Sequence, residues 1–403
     1  MEISGLKRLL SAGYRVFFLL AGVFAMLAIL VWDIWQASNG GFDLPVAQAP
    51  HLWHAHEMIF GYGSAAVAGF LLTAAPSWSK SGPEPWTFFA ASSGLWLAGR
   101  LVMFWSGALP VGLVALIDLL FLPILAGRIL QTLLKRPKPQ QLILLVAIMI
   151  FWSGNLLVHL EWTGVTQDTA SQGLRGGLLA LCGLIMILGG RVTPAFTTNA
   201  MRRTGRDTDL PLNPPLLAAL SIAPALAVPV GLLAGAPTWM VGIAGLVAGI
   251  AGLARVAQWR GGWTLNQPIL WVLHLSYAVN AVGFILLGLA GFDVFSDVAA
   301  LHVLGIGGVG GMTLAVMSRA ALGHSGRALI APRLLVIAYT MVPLAALIRL
   351  VATLVPQIYA VGVLASGALW VLAFGLFTIA LWPVFWGERV RKTPVAPPPA
   401  APS

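Results

Sequence analysis

The run YRVFFLLAGVFAMLAILVWDIWQ, residues 14–36, decides the fold class. A helix needs roughly 20 apolar residues to cross the hydrocarbon core of a bilayer, and this run meets that length. Lys7 and Arg8 lead into it and no small-residue cleavage site follows, so the segment reads as a retained membrane helix and not a removed leader. Working outward, comparable runs recur at 51–76, 85–105, 110–134, 140–161, 173–190, 213–234, 238–258, 268–290, 298–317, 333–354 and 360–386. Pro and Gly punctuate most joints, among them Pro45, Pro83, Pro110, Pro137, Pro237, Pro268 and Pro332. The expected fold is all-α, a polytopic membrane bundle of about twelve transmembrane helices. A single membrane domain is expected over residues 1–390, followed by a Pro/Ala-rich disordered cytoplasmic tail over 391–403.

Composition agrees. Mean hydropathy is +0.89 and only 9% of the 403 residues are charged, too few to cover the surface of a soluble chain of this length. One cysteine, Cys182, excludes an intrachain disulfide framework or thiolate cluster. A net charge of +10 suggests nucleic acid until the positions are read. The basic residues lie in short joints between apolar runs, where membrane orientation signals belong, so the expected partner is the lipid bilayer and no nucleic acid. With the N-terminus in the cytoplasm, the inner joints carry Lys80, Lys135, Arg136, Lys138, Arg191, Arg202, Arg203, Arg206, Arg255 and Arg260. Arg319, Arg327, Arg333, Arg389, Arg391 and Lys392 continue the series, while the outer joints hold Asp43, Asp168, Asp293 and Asp297. Both termini are therefore expected in the cytoplasm. No internal repeat is visible, nor the paired broken-helix signature of an inverted-repeat transporter.

Ionisable groups inside lipid are costly and mark candidate sites. His51, His54, His56 and Glu57 fall at the outer end of the second span, His159 and Glu161 at that of the fifth, and His302 at that of the tenth. Arg100, Asp118 and Arg349 lie in the outer thirds of the third, fourth and eleventh spans. Five of the seven histidines thus share one layer, with His274 and His324 as the exceptions on the inner side. Imidazoles on separate helices are how bundles hold haem or metal. Neighbouring carboxylates could orient them, and Arg100 and Arg349 could meet haem propionates. Snorkelling or capping at an interface is the plainer reading of any one of them. On a helix, His56 points about 200° away from the face of His54, which suits two sites, or one ligand and one partner. In the tenth span Gly305, Gly307, Gly308, Gly310 and Gly311 bare one helix surface, either for close packing or as room for a flat macrocycle.

WHAHEMIFGYGSAAVAGFLLTAAPSW (53–78), GGRVTPAFTTNA from Gly189, LHLSYA from Leu273 and MSRAALGHSGR (317–327) together resemble the signature of NnrS proteins, across essentially the whole chain. The last motif has Ser325 where the family pattern is expected to carry threonine, which keeps the hydroxyl. The resemblance implies a haem b and copper protein of the bacterial inner membrane, tied to nitric oxide metabolism and nitrosative-stress resistance. It implicates His54, His56, Glu57, His274, His302 and His324, with Arg191 and Arg327 beside them, and His159. A weaker similarity is to haem–copper oxidases and nitric oxide reductases. Those use histidines of spans two and ten for haem, but their second-metal histidines on spans six and seven are missing here. A copper site would then draw on His56, His159 or His274. Three functions stand open. One is a haem protein that binds, senses or reduces nitric oxide, with a membrane quinol as its electron donor. Another is a transporter of a small solute, metal or iron–nitrosyl complex. The last is a regulatory module without chemistry. His324, between Arg319 and Arg327, reads as part of an inner basic loop that cradles an anion or contacts lipid headgroups.

Overall fold

The structure is a computed structural model that describes residues 5–390, with the backbone alone at 139 and 140. The tail expected over 391–403 lies outside the described residues. Among those described, every regular element is helical, and twelve helices are long and apolar enough to cross a membrane. They are α1 Gly13–Ala37, α2 Pro50–Ser79, α3 Trp86–Phe104, α4 Val111–Leu133, α5 Gln141–Trp162 and α6 Ala170–Arg203. The second half consists of α7 Pro215–Leu233, α8 Thr238–Ala257, α9 Pro268–Ala290, α10 Asp297–His324, α11 Arg333–Leu354 and α12 Pro356–Trp386. The joints make two ends, an acid end with Asp43, Asp168 and Asp293 and a basic end with Lys135, Arg136 and Arg206.

Burial sorts the helices into two rings. Over their apolar stretches α2, α6, α9 and α10 are 61–72% buried, against 22–44% for the other eight. The inner four carry His54, His56, His274 and His302. The outer ring closes where α1 packs on α12. Leu116, Ile250 and Val361 on outer helices are more than half exposed, as lipid-facing side chains are. Lipid tails supply no hydrophobic drive between helices, so close approach rests on small residues. Side chains at Gly154 and Gly173 would collide across α5 and α6, and at Gly245, Gly249 and Gly288 across α8 and α9.

Two boundaries differ from the sequence reading. The sixth span does not stop at 190 but runs to Arg203, so Arg191 lies on a helix and not in a joint. Pro194 lacks an N–H, which strands the carbonyl of Gly190 one turn earlier. Arg255 donates to that carbonyl at 3.0 Å and Asn213 at 3.3 Å, which holds the helix together past the proline. The tenth span runs on to His324, which is the last residue of α10 and not a loop residue. Its ring stacks on Tyr14, with centroids 5.9 Å apart.

Candidate functional site

Two inner helices leave the α-helical pattern at corresponding places. α2 becomes π-helical over Glu57–Tyr62, directly after His56, and α10 over Val303–Gly310, directly after His302. A π segment adds a residue to the turn and rotates the face that follows it; such segments are rare and gather at functional sites. The glycines of α10 divide between two tasks. Side chains at Gly307, Gly308, Gly310 and Gly311 would strike Val279, Asn280, Trp370 and Ser276, so these four serve packing. At Gly305 the nearest atoms stand 3.8 Å away, on Leu178, and Gly305 lines a cavity.

That cavity, of about 660 Å³, lies in the acid-end half between α1, α2, α6, α10, α11 and α12. His54 and His302 both line it. The His54 ring stacks on Trp32 at 4.5 Å and 19°, and its Nδ1 is buried without a hydrogen-bond partner. His302 donates from Nδ1 to the Val298 carbonyl at 2.7 Å, which leaves Nε2 as its lone-pair nitrogen. His51 stands exposed at the rim. Arg349, 7% exposed, also lines the cavity. Its guanidinium donates to Thr353 and lies over the Tyr359 ring, and no carboxylate pairs with it among the described residues. Asp33 enters the wall from α1, packed so tightly on Gly367 that any side chain there would strike its carboxylate.

His56 faces elsewhere. Its Nδ1 is 2.9 Å from Glu57 Oε1, and its Nε2 is 2.9 Å from Asn155 Oδ1 and 3.3 Å from Asp118 Oδ2. His159 Nε2 reaches the same Asp118 oxygen at 2.9 Å, and Asn155 Nδ2 donates to it at 2.8 Å. Arg100 donates to Glu57 at 2.6 Å and to the other Asp118 oxygen. The Trp162 ring packs on both imidazoles. Ligand atoms of His56, Asp118 and His159 all lie within 4.8 Å of one another, so this buried group could hold a metal ion. The fit is chemical as well as geometric. Ligand bonds of 2.0–2.2 Å in a tetrahedron set ligand atoms about 3.3 Å apart. Metal-bound imidazoles donate their second nitrogen to a carboxylate, as His56 can to Glu57. Without a metal the same contacts form an ion cluster, in which Glu57 and Asp118 face Arg100 and His56.

The remaining candidates separate from both groups. Arg100, expected beside a cofactor, belongs to the ion cluster and does not line the large cavity. Glu161 accepts from the Ala170 N–H at 2.6 Å and so caps the start of α6. His274 lies toward the basic end, 3.1 Å from the Leu270 carbonyl, 3.3 Å from that of Trp259 and 3.5 Å from Thr197 Oγ1, joining neither histidine group. Arg191 is exposed on α6. Arg327 donates to the Pro383 carbonyl at 3.1 Å, so with His324 on Tyr14 the last motif ties α10 to α1 and α12. Sequence reading missed Asp33 and Asn155 and left Asp118 without a role. A search for acids and amides within spans would have found Asp33 and Asn155 as well.

A family model described as NnrS protein matches residues 8–389. No curated protein matches the chain.

Proposed function

This chain belongs to the NnrS family, and from that premise we propose that it is a haem b protein of the bacterial inner membrane, acting in nitric oxide metabolism and resistance to nitrosative stress. One observation carries the reading: His54 and His302, on two different helices, line a single cavity of about 660 Å³. Pockets for cofactors are mostly apolar, span roughly 300–1,000 Å³ and hold a few placed polar groups, and this one fits. His54 and His302 would hold the group, Gly305 leaves room beside them, and Arg349 would offer its cation to a propionate. Haem iron with an open or labile axial position binds diatomic ligands.

His56, Asp118 and His159 would hold the second metal. Two imidazoles and a carboxylate suit a borderline divalent ion, copper among them. Glu57 then orients His56, and Arg100 holds Asp118 in place. His274 has no part in either site. The basic residues at one end of the bundle support an orientation with both termini in the cytoplasm, which puts the cavity near the outer face.

The test is a reduced-minus-oxidised optical spectrum of the purified protein with metal analysis, repeated after addition of nitric oxide. The expected result is a b-type spectrum that shifts with nitric oxide. A protein that stays colourless after haem-replete expression overturns the reading.

A further inference from the structure

Next to the large cavity, toward the basic end, α2, α6 and α10 line a second, partly open space of about 70 Å³. At roughly one tenth of its neighbour's 660 Å³, it is too small for a macrocycle or a quinone ring. Its wall is Gly63, Ala66, Leu184 and Met312 with further apolar residues, and Thr313 supplies the one side-chain hydroxyl. That hydroxyl already donates to the Val309 carbonyl at 2.7 Å and pairs with the Tyr62 hydroxyl. A cavity without unsatisfied polar groups stays dry and takes up small apolar guests such as xenon. Leu181 and Val309 belong to the walls of both spaces. Tyr62, which lines the large cavity, reaches across to Thr313 in the wall of the small one. The partition is thus two aliphatic side chains and one tyrosine–threonine contact, with no ion pair to break.

We propose that this dry space is a docking site for a small uncharged gas, from which a diatomic such as nitric oxide passes between Leu181 and Val309 into the large cavity. The site stands on the size, dryness and shared wall of the space; the identity of the gas rests on the proposed function above. Ions and water are excluded because no polar group in the wall is available to receive them.

The experiment is a structure of the full chain under xenon pressure, for the wild type and for Ala66→Leu and Leu184→Phe. Both substitutions fill the small space at residues that do not line the large one, and two variants guard against one failing to fold. Xenon bound between α2, α6 and α10 in the wild type and lost in a variant is the expected result. In haem-loaded protein, carbon monoxide association after flash photolysis should slow several-fold in that variant, with an unchanged haem spectrum. Absence of xenon from the wild-type space overturns the proposal. So does an unchanged association rate in a variant that no longer admits xenon. If the protein binds no haem, the proposed function fails while the xenon result still decides the site by itself.

Discussion

His54 and His56 stand two residues apart on α2 and enter opposite environments. His54 meets an open space of about 660 Å³ and leaves a buried nitrogen unpartnered. His56, fully buried, has polar partners at both nitrogens. Two imidazoles on separate helices, His54 and His302, line that one large cavity, which points to something that binds there. In the ion cluster charge meets charge, although Glu57 Oε2 and Arg100 Nε are also buried without partners. The cavity should therefore be sensitive in what it binds, and the cluster in whether the bundle stands.

The largest effect is expected at the cavity. His302→Ala should abolish the b-type spectrum and leave the fold intact, because among the described residues that ring hydrogen-bonds only within its own helix, at Val298. Spectroscopy alongside size-exclusion and circular dichroism checks both halves. Full haem content in the variant would break the contrast at its first member. His159→Ala sharpens it from the other side: metal analysis should show the non-haem metal lost while the haem spectrum stays.

For the cluster the expected loss is stability. Asp118→Ala leaves Arg100 paired to Glu57 alone and removes the oxygen that His159 contacts. Breaking a buried ion pair by deleting one partner costs about 3–5 kcal/mol, measurable by unfolding in detergent. A change below about 1 kcal/mol would place these groups in the class of exposed ion pairs, despite their burial. Trp32→Leu should do less. It removes the ring stacked on His54, and an aromatic contact contributes about 0.5–1.5 kcal/mol beyond area. Haem titration should therefore show affinity weakened by up to about tenfold.

The membrane fold was legible because hydropathy reads lipid directly, and twelve apolar runs became twelve spanning helices. Hydropathy does not read the helix itself. For that reason α6 and α10 were expected to end early: α6 stays helical into a charged stretch that includes Arg202 and Arg203, and α10 continues to His324. Sequence also gives depth but not azimuth. Arg100 and Arg349 lie at one depth, yet one faces the ion cluster and the other the cavity. The 3.6-residue period separated His54 from His56 because the two share a helix; no such ruler links Asp118 on α4 to His159 on α5. The π segments left no trace in pattern, since glycine spacing in α10 reads equally as packing or as room. Asp33 was passed over because it stands among Trp32, Ile34 and Trp35, away from any histidine motif.

The smallest effect is expected where the cavity meets solvent or headgroups. Arg175 on α6 pairs with Asp297 at the start of α10, at 2.6 Å, with both side chains more than 40% exposed. It is the same chemistry as Arg100 with Asp118, but in high dielectric, where the Coulomb gain is small and salt screens it. A double-mutant cycle of Arg175→Gln and Asp297→Asn should give a coupling of about 0.2–1 kcal/mol that shrinks as salt is raised. Arg175 also lines the cavity, so the cycle reports on the mouth as well as on stability. A coupling of several kcal/mol, insensitive to salt, would mean that the mouth is closed to solvent and behaves like the ion cluster. The contrast between an open cavity and a sealed cluster would then fail at the pair chosen to mark its boundary.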